Sequence, residues 1–176
     1  MNLPNLLSCS RLLLAIGCGY FIYIEWYQPA GALLLVAVGT DLMDGWLARR
    51  WQQTSPLGGL LDHGSDALFV TICLGTLAFH NLVPPLLPIL VMASFIQYVL
   101  DSEALRGQPL RTSMLGKNNG ILYFVLAGFP TLQFALDTYI VPTPWFYMVG
   151  WLLSLSSIIS MLDRAITLLR LRKGSL

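Results

Sequence analysis

Charge is scarce in this sequence. Only 11% of its 176 residues are charged, against 56% hydrophobic, and its mean hydropathy is +0.68. A soluble domain carries about a quarter charged residues, so a water-facing globule is excluded and an integral membrane protein is expected. Cysteine is scarcer still, with three residues. Cys9, Cys18 and Cys73 have no metal-ligand spacing and stand in apolar surroundings, which argues against a zinc site or a disulfide framework and for small buried hydrophobes. No internal repeat, low-complexity tract or second domain is visible, so residues 1–176 read as a single membrane domain. No removable signal peptide is expected either. The first apolar stretch follows Arg11 and runs out in Glu25-Trp26-Tyr27 without a small-residue cleavage site. A net charge of +1 does not identify a partner, and no nucleic-acid partner is expected.

What is present is a series of six apolar stretches, predicted at about 12–27, 30–49, 57–79, 82–100, 115–136 and 144–169. A short interfacial helix over 3–10 is expected before the first. The fold class predicted is therefore all-α, with six transmembrane helices and that N-terminal interfacial helix. The ten basic residues all fall at the N-terminus, the second-to-third loop, the fourth-to-fifth loop or the C-terminal end. The opposite loops, near Gln28, Asn81 and Asp137, have none. By the positive-inside rule both termini face the cytoplasm, in a multi-pass protein of the cytoplasmic (inner) membrane. Tyr20, Trp26, Tyr27, Tyr139, Trp145 and Tyr147 fit an aromatic belt at the outer interface.

Against this background the aspartates stand out. Asp41, Asp44, Asp62 and Asp66 are four of only nine acidic residues, and they lie in the second and third apolar stretches. Spacings of three and four place each pair on one helix face. The second and third helices are expected to be antiparallel neighbours joined over 50–56, which puts all four aspartates at one depth on the cytoplasmic side. A carboxylate near the centre of a spanning helix costs about 2.5–3.5 kcal/mol, so four uncompensated ones cost roughly 10–14 kcal/mol. Hard divalent cations with oxygen ligands are the obvious compensation, and a two-metal site between two membrane helices is expected.

The spacing in full reads Asp41-x2-Asp44-Gly45-x2-Ala48-Arg49-x8-Gly58-x3-Asp62-x3-Asp66. It resembles the signature of the CDP-alcohol phosphatidyltransferases at every specified position. The opening Asn2-Leu3-Pro4-Asn5-Leu6-Leu7 with Arg11 also looks like the start of bacterial members, most of all those that make phosphatidylglycerophosphate. The resemblance implies two divalent cations, Mg²⁺ or Mn²⁺, held by Asp41, Asp44, Asp62 and Asp66. It also implies that Asp66 is the general base that takes a proton from an acceptor alcohol. The alkoxide would attack the β-phosphorus of CDP-diacylglycerol and expel CMP. Two metals about 3.5–4 Å apart suit that chemistry, because they neutralise both attacking and leaving oxygens. Gly45, Ala48 and Gly58 would leave room for the nucleotide beside the metals, and Arg49 would pair with a phosphate. A homodimer among membrane lipids is implied as well.

The acceptor is less directly written. Lys117, Arg111, Arg106 and Arg164 are candidate ligands for a phosphorylated acceptor such as glycerol 3-phosphate. Lys117 lies in Gly116-Lys117-Asn118-Asn119-Gly120, where relatives with phosphorylated acceptors often have Gly-Lys-x-x-Thr; here Gly120 stands in the threonine position. An inositol phosphate, phosphatidylglycerol or another alcohol would serve the same chemistry. His63 stands where phosphatidylglycerophosphate-forming members carry proline, and on a helix it is expected to point away from Asp62 and Asp66. The rival reading from another class is a divalent-cation transporter. It fares poorly because 31–38 and 69–77, the outer halves of the second and third helices, are nearly all apolar and leave no polar route onward.

Overall fold

The computed structural model describes the backbone of residues 3–50, 56–101 and 114–173, and side chains within 10–43, 50, 58–100 and 114–167. The described residues form six α-helices: α1 Leu3–Tyr23, α2 Tyr27–Arg50, α3 Pro56–Phe79, α4 Leu86–Asp101, α5 Met114–Ala135 and α6 Thr143–Lys173. The six apolar stretches thus become six helices, with ends shifted by a few residues. The separate interfacial helix expected over 3–10 is instead the first turns of α1, which runs unbroken to Tyr23. Two helices, over Gly58–Phe79 and Thr143–Thr167, are long and apolar enough to cross a membrane. Large apolar side chains such as Leu35, Ile89, Val125, Trp151 and Leu155 are exposed around the bundle. Soluble monomers rarely expose apolar surface on that scale.

The three turns at one end of the bundle share one device. Glu25, Asn81 and Asp137 have φ of 58°, 57° and 49° and close α1, α3 and α5 respectively. At each, the residue's own N–H donates to the carbonyl three back, and the next N–H donates to the carbonyl five before it: Trp26 to Phe21, Leu82 to Leu77, Thr138 to Gln133. This is the Schellman closure, with a left-handed residue satisfying the last carbonyls of the helix. The third turn is held further by buried Gln133, whose Oε1 accepts from the N–H groups of Ile140 and Val141 while its Nε2 donates to the Val141 carbonyl.

Helix α1 is the centre of the packing. It lies chiefly against α3 and α2, while α2 packs on α5, α3 on α4, and α6 on both α4 and α5. The expectation of α2 and α3 as direct neighbours is therefore corrected: among the described residues α1 is the main partner of each. Small side chains make this possible. Ala15 and Cys18 are fully buried, and a Cβ on Gly19 would lie 2.5 Å from Ile72 Cγ2. The Cys18 and Cys73 thiols meet at 3.6 Å in this seam, buried as expected. Small residues at helix crossings let backbones approach where no hydrophobic drive operates between helices.

Candidate functional site

The described carboxylates of the site come from two helices. Asp41 lies late in α2, and Asp62 and Asp66 lie early in α3, one turn apart on the same face. Between them comes a residue from α1. Arg11 is the single charged residue of that helix and is fully buried. Its Nη1 donates to Asp62 Oδ1 at 3.1 Å, to Ser65 Oγ at 3.1 Å and to Asp66 Oδ1. Its Nη2 pairs with Asp41 Oδ1 at 3.2 Å. Ser65 in turn donates to the Asp62 carbonyl at 2.8 Å. A buried guanidinium is tolerated only when paired and hydrogen-bonded, and its planar fork allows one cation to gather three carboxylates.

Sequence reasoning counted Arg11 in the N-terminal positive charge and in the opening that resembles bacterial members, and gave it no part in the site. The available signal was its isolation, as the sole charge in a helix that must pack against two acidic ones. His63 is a second correction. It stands three residues before Asp66, so by the same spacing rule the two share a face. One ligand atom from each of Asp62, His63 and Asp66 lies within 4.8 Å of the others. Two carboxylates and an imidazole, with Asp41 across the guanidinium, fit a hard or borderline divalent cation such as Mg²⁺ or Mn²⁺. Which ion it is does not follow from the donors.

The carboxylates open into a cavity of about 370 Å³. Asp41, His63 and Asp66, from α2 and α3, line it together with Lys117 of α5 and Arg164 of α6. Its remaining walls are largely apolar, with Val70, Val91, Phe95, Ile121 and Phe124. Tyr98 forms part of the lining, with the Arg164 guanidinium 4.9 Å above its ring and the His63 ring edge-on at 6.0 Å. Arg164 is thus held by a cation–π contact inside the cavity. The helices that carry Lys117 and Arg164 are braced by polar bonds. Gln97 of α4 donates to the Met161 carbonyl of α6 at 2.9 Å, and Ser156 of α6 donates to Asn119 of α5 at 2.7 Å. Ser157 gives its proton to the Leu153 carbonyl, so Tyr123 is the donor in the 2.5 Å bond between Tyr123 and Ser157.

Asp41, Asp62, Asp66, Lys117 and Arg164 are therefore brought to one place. The side chains at Asp44, Gly45, Ala48 and Arg49 lie outside the described residues, though their backbone continues α2, and Arg106 and Arg111 lie outside them altogether. Gly58 opens the apolar part of α3, one turn before Asp62.

The sequence model of one family, CDP-alcohol phosphatidyltransferase, matches residues 1–168. The chain belongs to this family. Among its relatives, cardiolipin synthase (CMP-forming) of Rattus norvegicus is 35% identical over 112 residues, 63% of this chain and 37% of that protein. The enzyme of the same name from Streptomyces coelicolor is 29% identical over 170 residues, covering 90% of this chain and 72% of that protein. CDP-diacylglycerol–glycerol-3-phosphate 3-phosphatidyltransferase of Pseudomonas fluorescens is 40% identical over 77 residues, 42% of this chain and 40% of that protein. The match thus spans little more than a third of the rat protein's length, and these family members carry two different enzyme names.

Proposed function

We propose that this family member transfers a phosphatidyl group from CDP-diacylglycerol to a phosphate-bearing alcohol, releasing CMP. The observation that carries the reading is the meeting of Asp41 and Asp66 with Lys117 and Arg164 around one cavity. Acidic side chains suited to cations and basic side chains suited to an anion thus share one lining. The divalent cations, held by Asp41, Asp44, Asp62 and Asp66 with His63 in reach, would neutralise the diphosphate and the developing charge on its oxygens. Asp66 accepts the hydroxyl proton of the acceptor. The acceptor oxygen bonds to the β-phosphorus of the CDP-lipid as the bond from that phosphorus to the CMP oxygen breaks. Lys117 and Arg164 hold the acceptor's phosphate, so the hydroxyl is oriented before reaction and part of the entropic cost is already met. Gly45, Ala48 and Gly58 leave space for the nucleotide, and Arg49 pairs with a phosphate.

Glycerol 3-phosphate is the first choice of acceptor. Phosphatidylglycerol is the second, and the apolar walls at Val91, Phe95 and Phe124 together with the relatives named cardiolipin synthase favour it specifically. We further propose six spans in the cytoplasmic membrane, with the site facing the cytoplasm and two copies forming a dimer. The test is CMP release by purified protein supplied with CDP-diacylglycerol, Mg²⁺ or Mn²⁺ and each acceptor in turn. Release that needs metal, responds to one acceptor and vanishes in Asp66→Asn is expected. Undiminished release from that variant would remove Asp66 as the base, and none with any acceptor would overturn the proposal.

A further inference from the structure

Arg11 draws on the carboxylates that a metal needs. Its two terminal nitrogens reach Asp41 Oδ1, Asp62 Oδ1 and Asp66 Oδ1, one oxygen from each carboxylate, and the side chain has no exposure to solvent. Divalent cations bond such oxygens at about 2.0–2.6 Å, so ion and guanidinium, both cationic, draw on the same three carboxylates at close range. With the three carboxylates ionised, the cluster carries a net charge of 1 − 3 = −2. Without the arginine, three like charges would converge among apolar helices, which is costly unless they are paired.

We propose that Arg11 is a positioning residue and a built-in rival of the metal. It gathers carboxylates from α2 and α3 at the spacing the site requires, and it lowers the affinity for divalent cations by holding their ligands. The cost to metal affinity is the counterpart of the stability it lends to the acidic cluster. This inference rests on the metal-binding reading above. A purely structural arginine predicts the opposite sign, because its loss would scatter the ligands and weaken metal binding.

The experiment is a titration of full-length protein in detergent with Mn²⁺ alone, reading free Mn²⁺ by its paramagnetic resonance signal. Wild type is compared with Arg11→Gln and Arg11→Lys, and folding is followed by elution profile and thermal transition. Removing a unit charge a few ångströms from the ion should tighten Mn²⁺ binding by about tenfold or more in Arg11→Gln. Arg11→Lys, a cation without the fork, should fall between. Folded Arg11→Gln that binds Mn²⁺ no tighter than wild type overturns the inference. If that variant does not fold, Arg11→Lys decides: tighter binding than wild type supports the inference, and equal or weaker binding overturns it. Wild type that takes up no Mn²⁺ sinks the metal reading itself and this inference with it.

Discussion

At the residue scale the site is a division of labour between charges of opposite sign. Asp41, Asp62 and Asp66 are only partly buried, and Asp41 and Asp66 line the cavity, whereas the arginine that unites the three has no exposed surface. A substrate therefore meets carboxylate oxygens and not the guanidinium behind them. In the same lining Lys117 is exposed and Arg164 half-buried against Tyr98. Removing Lys117 should touch acceptor binding more than the chemistry. Lys117→Ala is expected to raise the KM for a phosphorylated acceptor by roughly tenfold, the worth of a partly solvated charge-assisted contact. The KM for CDP-diacylglycerol should move little. Equal increases in both, measured by steady-state CMP release, would deny Lys117 a dedicated acceptor role. The aspartates were legible in the sequence because a charge in an apolar run has few innocent explanations. Arg11 was not, since a cation near the end of an apolar stretch has an ordinary one.

At the element scale the decisive feature is α1. Hydropathy alone pictures α2 and α3 as a hairpin presenting its own aspartates to each other, and the helices themselves form close to where the apolar runs suggest. Yet α1 packs against both, and the site is assembled by three helices instead of two. The reason is local: the small side chains of Ala15, Cys18 and Gly19 let α1 approach α3 closely, and Arg11 then finds its acceptors one and two turns along. Ile72 is β-branched and stiff on a helix, so it cannot swing away from a new side chain at position 19. Gly19→Val should therefore destabilise the protein by about 1–3 kcal/mol and loosen the Arg11 contacts with it. A lowered thermal transition in detergent, with weaker activity, is expected. An unchanged transition would show that the α1–α3 seam yields more readily than its geometry implies.

At the scale of the whole molecule, the bundle has one end of tight Schellman turns and one end that carries the site. Those turns rely on Glu25, Asn81 and Asp137 at positive φ, where glycine is the usual residue; glycine counting along the sequence would not have found them. The asymmetry matches the distribution of the ten basic residues, none of which falls near those three turns. Under the proposed topology, a cysteine at Thr138, in a chain whose native cysteines are replaced, should be labelled by an impermeant maleimide from outside intact cells. A cysteine at Gln53 should react only after the membrane is opened. The reverse pattern would invert the orientation and put the carboxylates on the outer face.

By itself the sequence determined the helical class, the places of the six helices apart from the early start of α1, and the aspartate signature of the family. These follow from local properties: a run of apolar side chains, a charge that needs compensation, a spacing that selects a helix face. Only the tertiary structure decided that α1 sits between the acidic helices, that Arg11 holds their carboxylates, that His63 faces the same site, and that Lys117 and Arg164 share its cavity. Those facts depend on which helix faces meet, and that is set by close packing between residues 50 or more positions apart, a relation that no local pattern in the chain encodes.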